Sequence, residues 1–255
     1  MKEWFESLAG SVRSLGSTIA DNIGYTILFF AIMAGMIALA AAVERIINKR
    51  RGISENTGYR INKMVIMAML AAIAGILTAF DFPLWFAPGF YKLDFSELPV
   101  IIGAFALGPV AGVIIEAVKI LLNLIINGTV TAFVGELANF CMGCSFVIPA
   151  AIIYYCRKTR KNAIIGLAAG IAVAVVFGSL MNAFVLLPTY ARVFFKSDSL
   201  DAIIGMGADK NGAISGLTSF ILLAVAPFNL LKYGLVSVVT MLIYKPISHL
   251  LKKQA

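Results

Sequence analysis

Long apolar runs separated by short polar or basic segments set the pattern of this chain. The first run, about Tyr25 to Val43, is followed by the basic stretch ERIINKRRG and a polar linker that reaches Arg60. The second, about Met64 to Phe80, ends at DFPLWFAPGFYKLDFSELP, a segment with three prolines and several aromatics that cannot be a continuous helix. A short apolar piece, Val100 to Leu107, stops at Gly108-Pro109. Further runs follow at about Val110 to Ile126, Leu137 to Tyr155, Ala163 to Leu187 and Leu217 to Tyr244. Runs of this length and apolarity cross a bilayer as helices, so the pattern predicts seven membrane segments, one of them short. Ahead of the first run, Trp4, Phe5, Leu8, Val12 and Leu15 recur at helical spacing, which predicts a short interfacial helix lying on the membrane. The two glutamates of MKEWFESLAG argue against a cleavable signal peptide.

Composition agrees with this picture: 60% of the residues are hydrophobic, 13% are charged, and the mean hydropathy is +0.93. Soluble domains carry about twice that charged fraction. The formal charge of +8 is spread over short segments between apolar runs, the signature of membrane orientation and not of nucleic-acid binding. With the linker after the first run taken as cytoplasmic, thirteen lysines and arginines collect on its side and six on the other, while Lys119 and Lys232 fall inside apolar runs. The expected protein is therefore a multi-pass component of a bacterial-type plasma membrane, with its N-terminus outside and its C-terminus cytoplasmic. The 81–99 loop then faces outward, together with the connections at 127–136 and 190–216. The linker RGISENTGYR is the one plausible boundary. It separates residues 1–60, an amphipathic stretch with an extra transmembrane helix and a basic linker, from a membrane domain at 61–255.

Polar residues inside apolar runs carry the chemistry. Asn229 and Lys232, in AVAPFNLLKYGLVSVV, are three apart and share a helical face. A lysine near the bilayer centre costs about 3 kcal/mol on insertion scales, so such residues face a protein interior, a partner or a ligand. Asn182, in SLMNAFVLLP, adds a third polar group. Together they can fix the edge of a small heteroaromatic ring; for the amides, helix-to-helix hydrogen bonding is the competing role. Glu116, Lys119, Asn123 and Asn127 form a second stripe in which Glu116 and Lys119 can neutralise each other, and Glu136 in GELANF suits a helix N-terminus. Ala68 and Ala72 show the four-residue spacing of small side chains that lets another helix approach closely.

Several chemistries are excluded. The spacing of Cys141 and Cys144 in CMGC suggests a metal or redox pair, but the only histidine is His249 and no ligands close a site, so no metal and no disulfide are expected. The motifs GxxxxGK[ST], HExxH and GxSxG are missing. The chain is therefore not expected to hydrolyse ATP itself or to be an enzyme, and it offers no catalytic residues.

Four stretches then resemble one family: YKLDFSELPVIIGAFALGPVAGVIIEAVKILLN at 91–123, GELANF at 135–140, NAFVLLPTYARVF at 182–194 and APFNLLKYG at 226–234. They resemble the membrane-embedded substrate-binding (S) components of energy-coupling-factor (ECF) vitamin transporters, in particular the riboflavin-specific ones. The resemblance implies an all-α six-helix bundle, here with one extra N-terminal helix. It also implies no cofactor, capture of riboflavin from outside, and delivery through a transmembrane T protein driven by two ATPase subunits. By the same resemblance Asn182, Asn229 and Lys232 contact the flavin ring, and the 81–99 loop, with Phe86, Phe90, Tyr91, Leu93, Asp94 and Phe95, closes over it. Ala68 and Ala72 dock on the T protein. Two rival readings are an S component for a flavin nucleotide or another vitamin, and an ion-coupled secondary transporter with Glu116 as its buried carboxylate.

Overall fold

The computed structural model describes residues 10–11, 15–52, 57–129, 131–196 and 199–252, and the side chains among them except at 57–60 and 244–252. Trp4, Phe5, Leu8 and Val12 of the expected interfacial helix lie outside these residues, whereas Leu15 packs, partly buried, on the interior next to the first long helix. The bundle is built from α1 (Ile23–Arg51), α2 (Thr57–Leu77), α3 (Glu97–Leu107), α4 (Pro109–Asn127), α5 (Val134–Cys156), α6 (Arg160–Phe195), α7 (Asp201–Ala208) and α8, which starts at Leu217 and runs on as Ala226–Lys252. Two-residue strands β1 (Phe82–Pro83) and β2 (Lys92–Leu93) interrupt the helices. Among the described residues, five helices are long and apolar enough to cross a membrane, and Ile61–Leu77 and Glu97–Leu107 are shorter apolar helices, matching the seven runs in the sequence.

Small residues set how closely the helices meet. On α6, a Cβ at Gly166 would lie 2.6 Å from the Ala150 carbonyl oxygen of α5, and one at Gly170 would lie 2.5 Å from that of Phe146. Backbone contact of this kind is the membrane-bundle mode of association. Around it, Phe105 stacks on Tyr154 with ring centroids 4.3 Å apart, and Phe146 stacks on Tyr233 at 4.7 Å. The short α3 ends at Gly108, whose φ of +108° is open to glycine, and Pro109 then takes the first position of α4.

Proline bears on two of the departures from the boundaries expected from sequence; besides these, α1 runs on through the basic stretch to Arg51 and α2 starts at Thr57, inside the expected linker. The run that begins at Ala163 does not stop at Leu187 but continues to Phe195 as one helix, through Pro188. An interior proline removes a hydrogen bond and clashes with the carbonyl four residues back. Here a π turn over Asn182–Leu186 precedes it, and the wider turn absorbs that clash. The same device recurs in α8, where a π turn at Ile221–Val225 precedes Pro227. The two π turns touch each other. The other departure at a proline is α3, which begins at Glu97, so Leu98 and Pro99 of the expected loop are already helical, with Pro99 tolerated in the first turn.

The extra helix is part of the packed body. On α1, Thr26, Phe29, Met33, Ala40, Glu44 and Ile47 are buried at helical spacing against α4 and α5, while Ile23, Ile27, Phe30 and Leu39 are exposed. Glu44 is the polar contact in that seam. Its Oε1 lies 3.0 Å from Lys63 Nζ of α2, and its Oε2 accepts from the Val110 backbone N–H at 2.9 Å. A carboxylate of α1 thus completes the N-terminus of α4. It fits because Gly108 has no side chain: a Cβ there would sit 2.6 Å from Glu44 Oε2. At the end of α1, Arg51 Nη1 donates to the Tyr155 carbonyl of α5 at 2.8 Å. Glu44→Ala is expected to destabilise the protein by about 1 to 3 kcal/mol, because it removes a carboxylate paired with Lys63 and the acceptor of the Val110 N–H at the start of α4. Thermal unfolding in detergent checks this; an unchanged midpoint would mean that the seam does not depend on the carboxylate.

Candidate functional site

The 81–99 segment folds as a short hairpin followed by a turn into α3. Phe82 pairs with Leu93 and Pro83 with Lys92 in antiparallel register, and Lys92 Nζ lies 3.1 Å from Asp81. Aromatic packing then lays the hairpin across the ends of α6 and α8. The Tyr91 ring is 5.2 Å from Phe228 and 4.6 Å from Phe90, which meets Tyr190 edge-on at 5.5 Å. Leu93 is buried with Leu187, Ile203 and Phe220.

Beneath the hairpin lies a cavity of about 220 Å³. Its polar wall is assembled from separate elements: Tyr91 and Asp94 from the loop, Glu97 from α3, Lys119 from α4, Asn182 from α6 and Lys232 from α8. Phe90, Tyr190, Phe228 and Tyr233 add aromatic surface. A concave site with a few converging polar groups among aromatics suits a planar ligand with a polar edge.

Each polar wall group has a defined partner. Lys232 Nζ lies 2.9 Å from Asp94 Oδ2. The other Asp94 oxygen accepts from the Ser96 backbone N–H at 2.8 Å and from the Ser96 hydroxyl. Burial alone would raise the Asp94 carboxyl, but Lys232, aided by Lys119 and Ser96, outweighs it and holds the group well below the usual carboxylate range. Tyr91 donates its hydroxyl to Asn182 Oδ1 at 2.6 Å. Burial, with Tyr190 close by, raises this phenol well above its ordinary value, so it remains a protonated donor. The Asn182 amide also donates to the Gly178 carbonyl at 2.8 Å. Lys119 Nζ sits between Glu97 at 2.9 Å and Glu116 at 2.7 Å.

Among the residues singled out from sequence, Asn182, Lys232, Phe90, Tyr91 and Asp94 come together on the cavity wall. Phe86, Leu93 and Phe95 belong instead to the packing behind the loop, and Asn229 does not reach the wall. It is fully buried, donates to the Val225 carbonyl at 3.1 Å, and abuts Gly178 of α6, where a Cβ would lie 2.8 Å from its amide nitrogen. Its Oδ1 has no hydrogen-bond partner among the described residues. Lys232, expected to face a protein interior, a partner or a ligand, has its counter-ion in Asp94, 138 positions earlier. Glu97 and Tyr190 carried no sequence signal that set them apart. Lys119, read there as a structural partner of Glu116, makes that pair and also faces the cavity. The cysteines are free, with Cys141 and Cys144 buried and Cys156 exposed. On α2, Ala68 and Ala72 lie exposed among Val65, Met69, Ile73 and Ile76, away from the cavity.

Comparison with known proteins gives one consistent result. The family model described as ECF transporter, substrate-specific component, matches residues 62–244. The riboflavin transporter RibU of Staphylococcus aureus is 35% identical over 191 residues, which is 75% of this chain and 93% of that protein. The riboflavin transporter FmnP of Bacillus subtilis is 32% identical over 186 residues, 72% of this chain and 91% of the relative. A solved S component of a bacterial ECF transporter superposes with a TM-score of 0.58 at 34% identity, covering 76% of this chain and 99% of that one. These relatives are named for transport and not for catalysis. With the family match running from within α2 to within α8, around the whole cavity, this multi-pass membrane protein belongs to the substrate-specific component family of ECF transporters.

Proposed function

We propose that the chain captures riboflavin in the cavity beneath the 81–99 loop and delivers it inward through a T protein and two ATPase subunits. The observation that carries this reading is the convergence of Asn182, Lys232, Tyr91 and Asp94, from three separate parts of the chain, on one aromatic-lined cavity. The relatives named above are riboflavin transporters. In this reading the loop end faces outward, as the lysine and arginine distribution favours, and the loop caps the ligand. Lys232 keeps two N–H groups beyond the one directed at Asp94, and Asn182 keeps one, which suits the carbonyl-rich edge of a flavin. Asn229 lies one layer deeper, with an acceptor available to a ligand that reaches it.

Charge favours the uncharged vitamin over its phosphate. The lysines on the cavity wall are Lys92, Lys119 and Lys232, and each already faces a carboxylate, at 3.1 Å, 2.9 Å and 2.9 Å for Asp81, Glu97 and Asp94. A phosphate would meet lysines already neutralised and would bring its own negative charge beside Asp81, Asp94 and Glu97. The same pairing weakens the ion-coupled reading, because Lys119 occupies both Glu97 and Glu116.

Three outcomes test the proposal. Lys232→Met and Asn182→Leu are each expected to weaken riboflavin binding by roughly five- to 150-fold, the loss of one hydrogen bond to a buried polar group. Titration of flavin fluorescence measures this, and wild-type affinity in folded variants would remove the residues from the site. Flavin mononucleotide is expected to bind about tenfold more weakly than riboflavin, or worse, in direct competition; equal affinity would show that the paired lysines do not discriminate. Finally, Ala68→Trp with Ala72→Trp is expected to abolish uptake by the complete complex and leave riboflavin affinity in detergent unchanged, since bulk on that stripe blocks close helix approach. Normal uptake by the double variant would exclude the stripe as the docking surface.

A further inference from the structure

The loop and the cavity wall meet at two polar contacts, and both fall on residues assigned above to the ligand. Tyr91 donates to Asn182 of α6 at 2.6 Å, and Asp94 pairs with Lys232 of α8 at 2.9 Å. We propose that Tyr91 and Asp94 form a two-point latch, closing the 81–99 loop onto the same side chains that hold the ligand, so that the latch sets how long the ligand stays. This rests on the riboflavin site proposed above.

Three features of the loop favour a latch over incidental contact. The carboxylate of Asp94 is preset, because its second oxygen is held by the Ser96 backbone N–H and hydroxyl at the start of α3. The residue before it, Leu93, is 1% exposed and paired with Phe82 in the hairpin, so the arm bearing Asp94 has little freedom. Tyr91 lies on the same arm, its ring wedged between Phe90 and Phe228. A preorganised donor and a preorganised acceptor, three residues apart, thus bridge to two different helices. Closure loses little side-chain entropy at either point.

Valence explains why closing and holding are compatible. Lys232 has three N–H donors and Asp94 takes one; Asn182 gives one N–H to Gly178 and accepts from Tyr91, and its second N–H is left. The latch therefore orients the ammonium and the amide, and leaves donors for the ligand. Loosening it lets the loop open and the ligand leave. Because a ligand enters only while the loop is open, a looser latch does not slow entry and raises the open fraction of the empty chain. Tyr91 and Asp94 act through Asn182 and Lys232, so they are positioning residues.

The test uses the full chain in detergent with Asp94→Asn and Tyr91→Phe, which keep shape and remove one contact each; if one fails to fold, the other carries the test. Hydrogen exchange of the backbone amides of residues 82–93, without ligand, is expected to quicken in both variants while amides of α4 and α5 keep their rates. Stopped-flow riboflavin fluorescence is expected to show release faster by roughly ten- to a hundredfold for Asp94→Asn and about three- to tenfold for Tyr91→Phe, with association no slower than in the wild-type chain. Unchanged loop exchange overturns the latch, as does a slowed association rate with normal release. A wild-type chain that binds no riboflavin would overturn the ligand assignment instead, and the exchange measurement would still decide the latch.

Discussion

An ammonium inside a bilayer-spanning bundle needs a counter-charge, and in this protein that need joins elements distant in sequence. Lys232 of α8 finds Asp94 of the loop, Lys119 of α4 finds Glu97 of α3 and Glu116, and Lys63 of α2 finds Glu44 of α1. An unpaired charge in such a medium costs several kcal/mol or more, whereas a pair with good geometry recovers much of that. These pairs add less to stability than they do to register. An apolar helix can slide or rotate along another at small cost, but a buried lysine and carboxylate accept few relative positions. The cavity wall, loop and extra helix are all located in this way.

Proline chemistry provides the second constraint. Pro188 and Pro227 would each break a regular helix, and each is preceded by a π turn that widens the backbone. Since the two π turns lie against each other, the irregular parts of α6 and α8 meet where Asn182 starts one turn and Phe228 and Lys232 follow the other. Irregular backbone at membrane depth is tolerated where it is buried in protein or lines a cavity. Both conditions hold here. The site is therefore placed where the helices are least regular: Asn182 and Leu186 of the first turn line the cavity together with Phe228 and Lys232, which follow the second.

Much of this was legible in the chain. Seven apolar runs became seven apolar helices, and of the polar residues read inside them Lys119, Lys232 and Asn182 line the cavity while Glu116 and Asn229 are buried away from it. What sequence could not supply was pairing at long range. Asp94 reads as one polar residue in a proline-rich loop, and nothing local reveals that it meets Lys232. Helix ends failed for a physical reason as well, since Pro188 signals termination and only the π turn before it lets α6 continue. Asn229 illustrates the ambiguity of a buried amide. Its spacing from Lys232 promises a shared face, but the close approach of Gly178 draws it into the α6–α8 crossing, one layer behind the wall.

The position of α1 decides which faces of the bundle stay open. It packs against α4 and α5 and reaches α2 through Glu44 and Lys63, so it leaves uncovered the face of α2 that carries Ala68 and Ala72. At 1.5 Å per residue, Ala68 lies about 7 Å along the axis from Lys63 and about 15 Å from Thr78, which borders the cavity just past the end of α2. One helix is thus pinned to α1 near its start, presents its small-residue stripe midway, and ends against the cavity. A helix held at both ends moves as a rigid body or not at all. Between the stripe and the cavity runs one continuous helix, whose end leads into the hairpin that carries Tyr91 and Asp94 on its other arm.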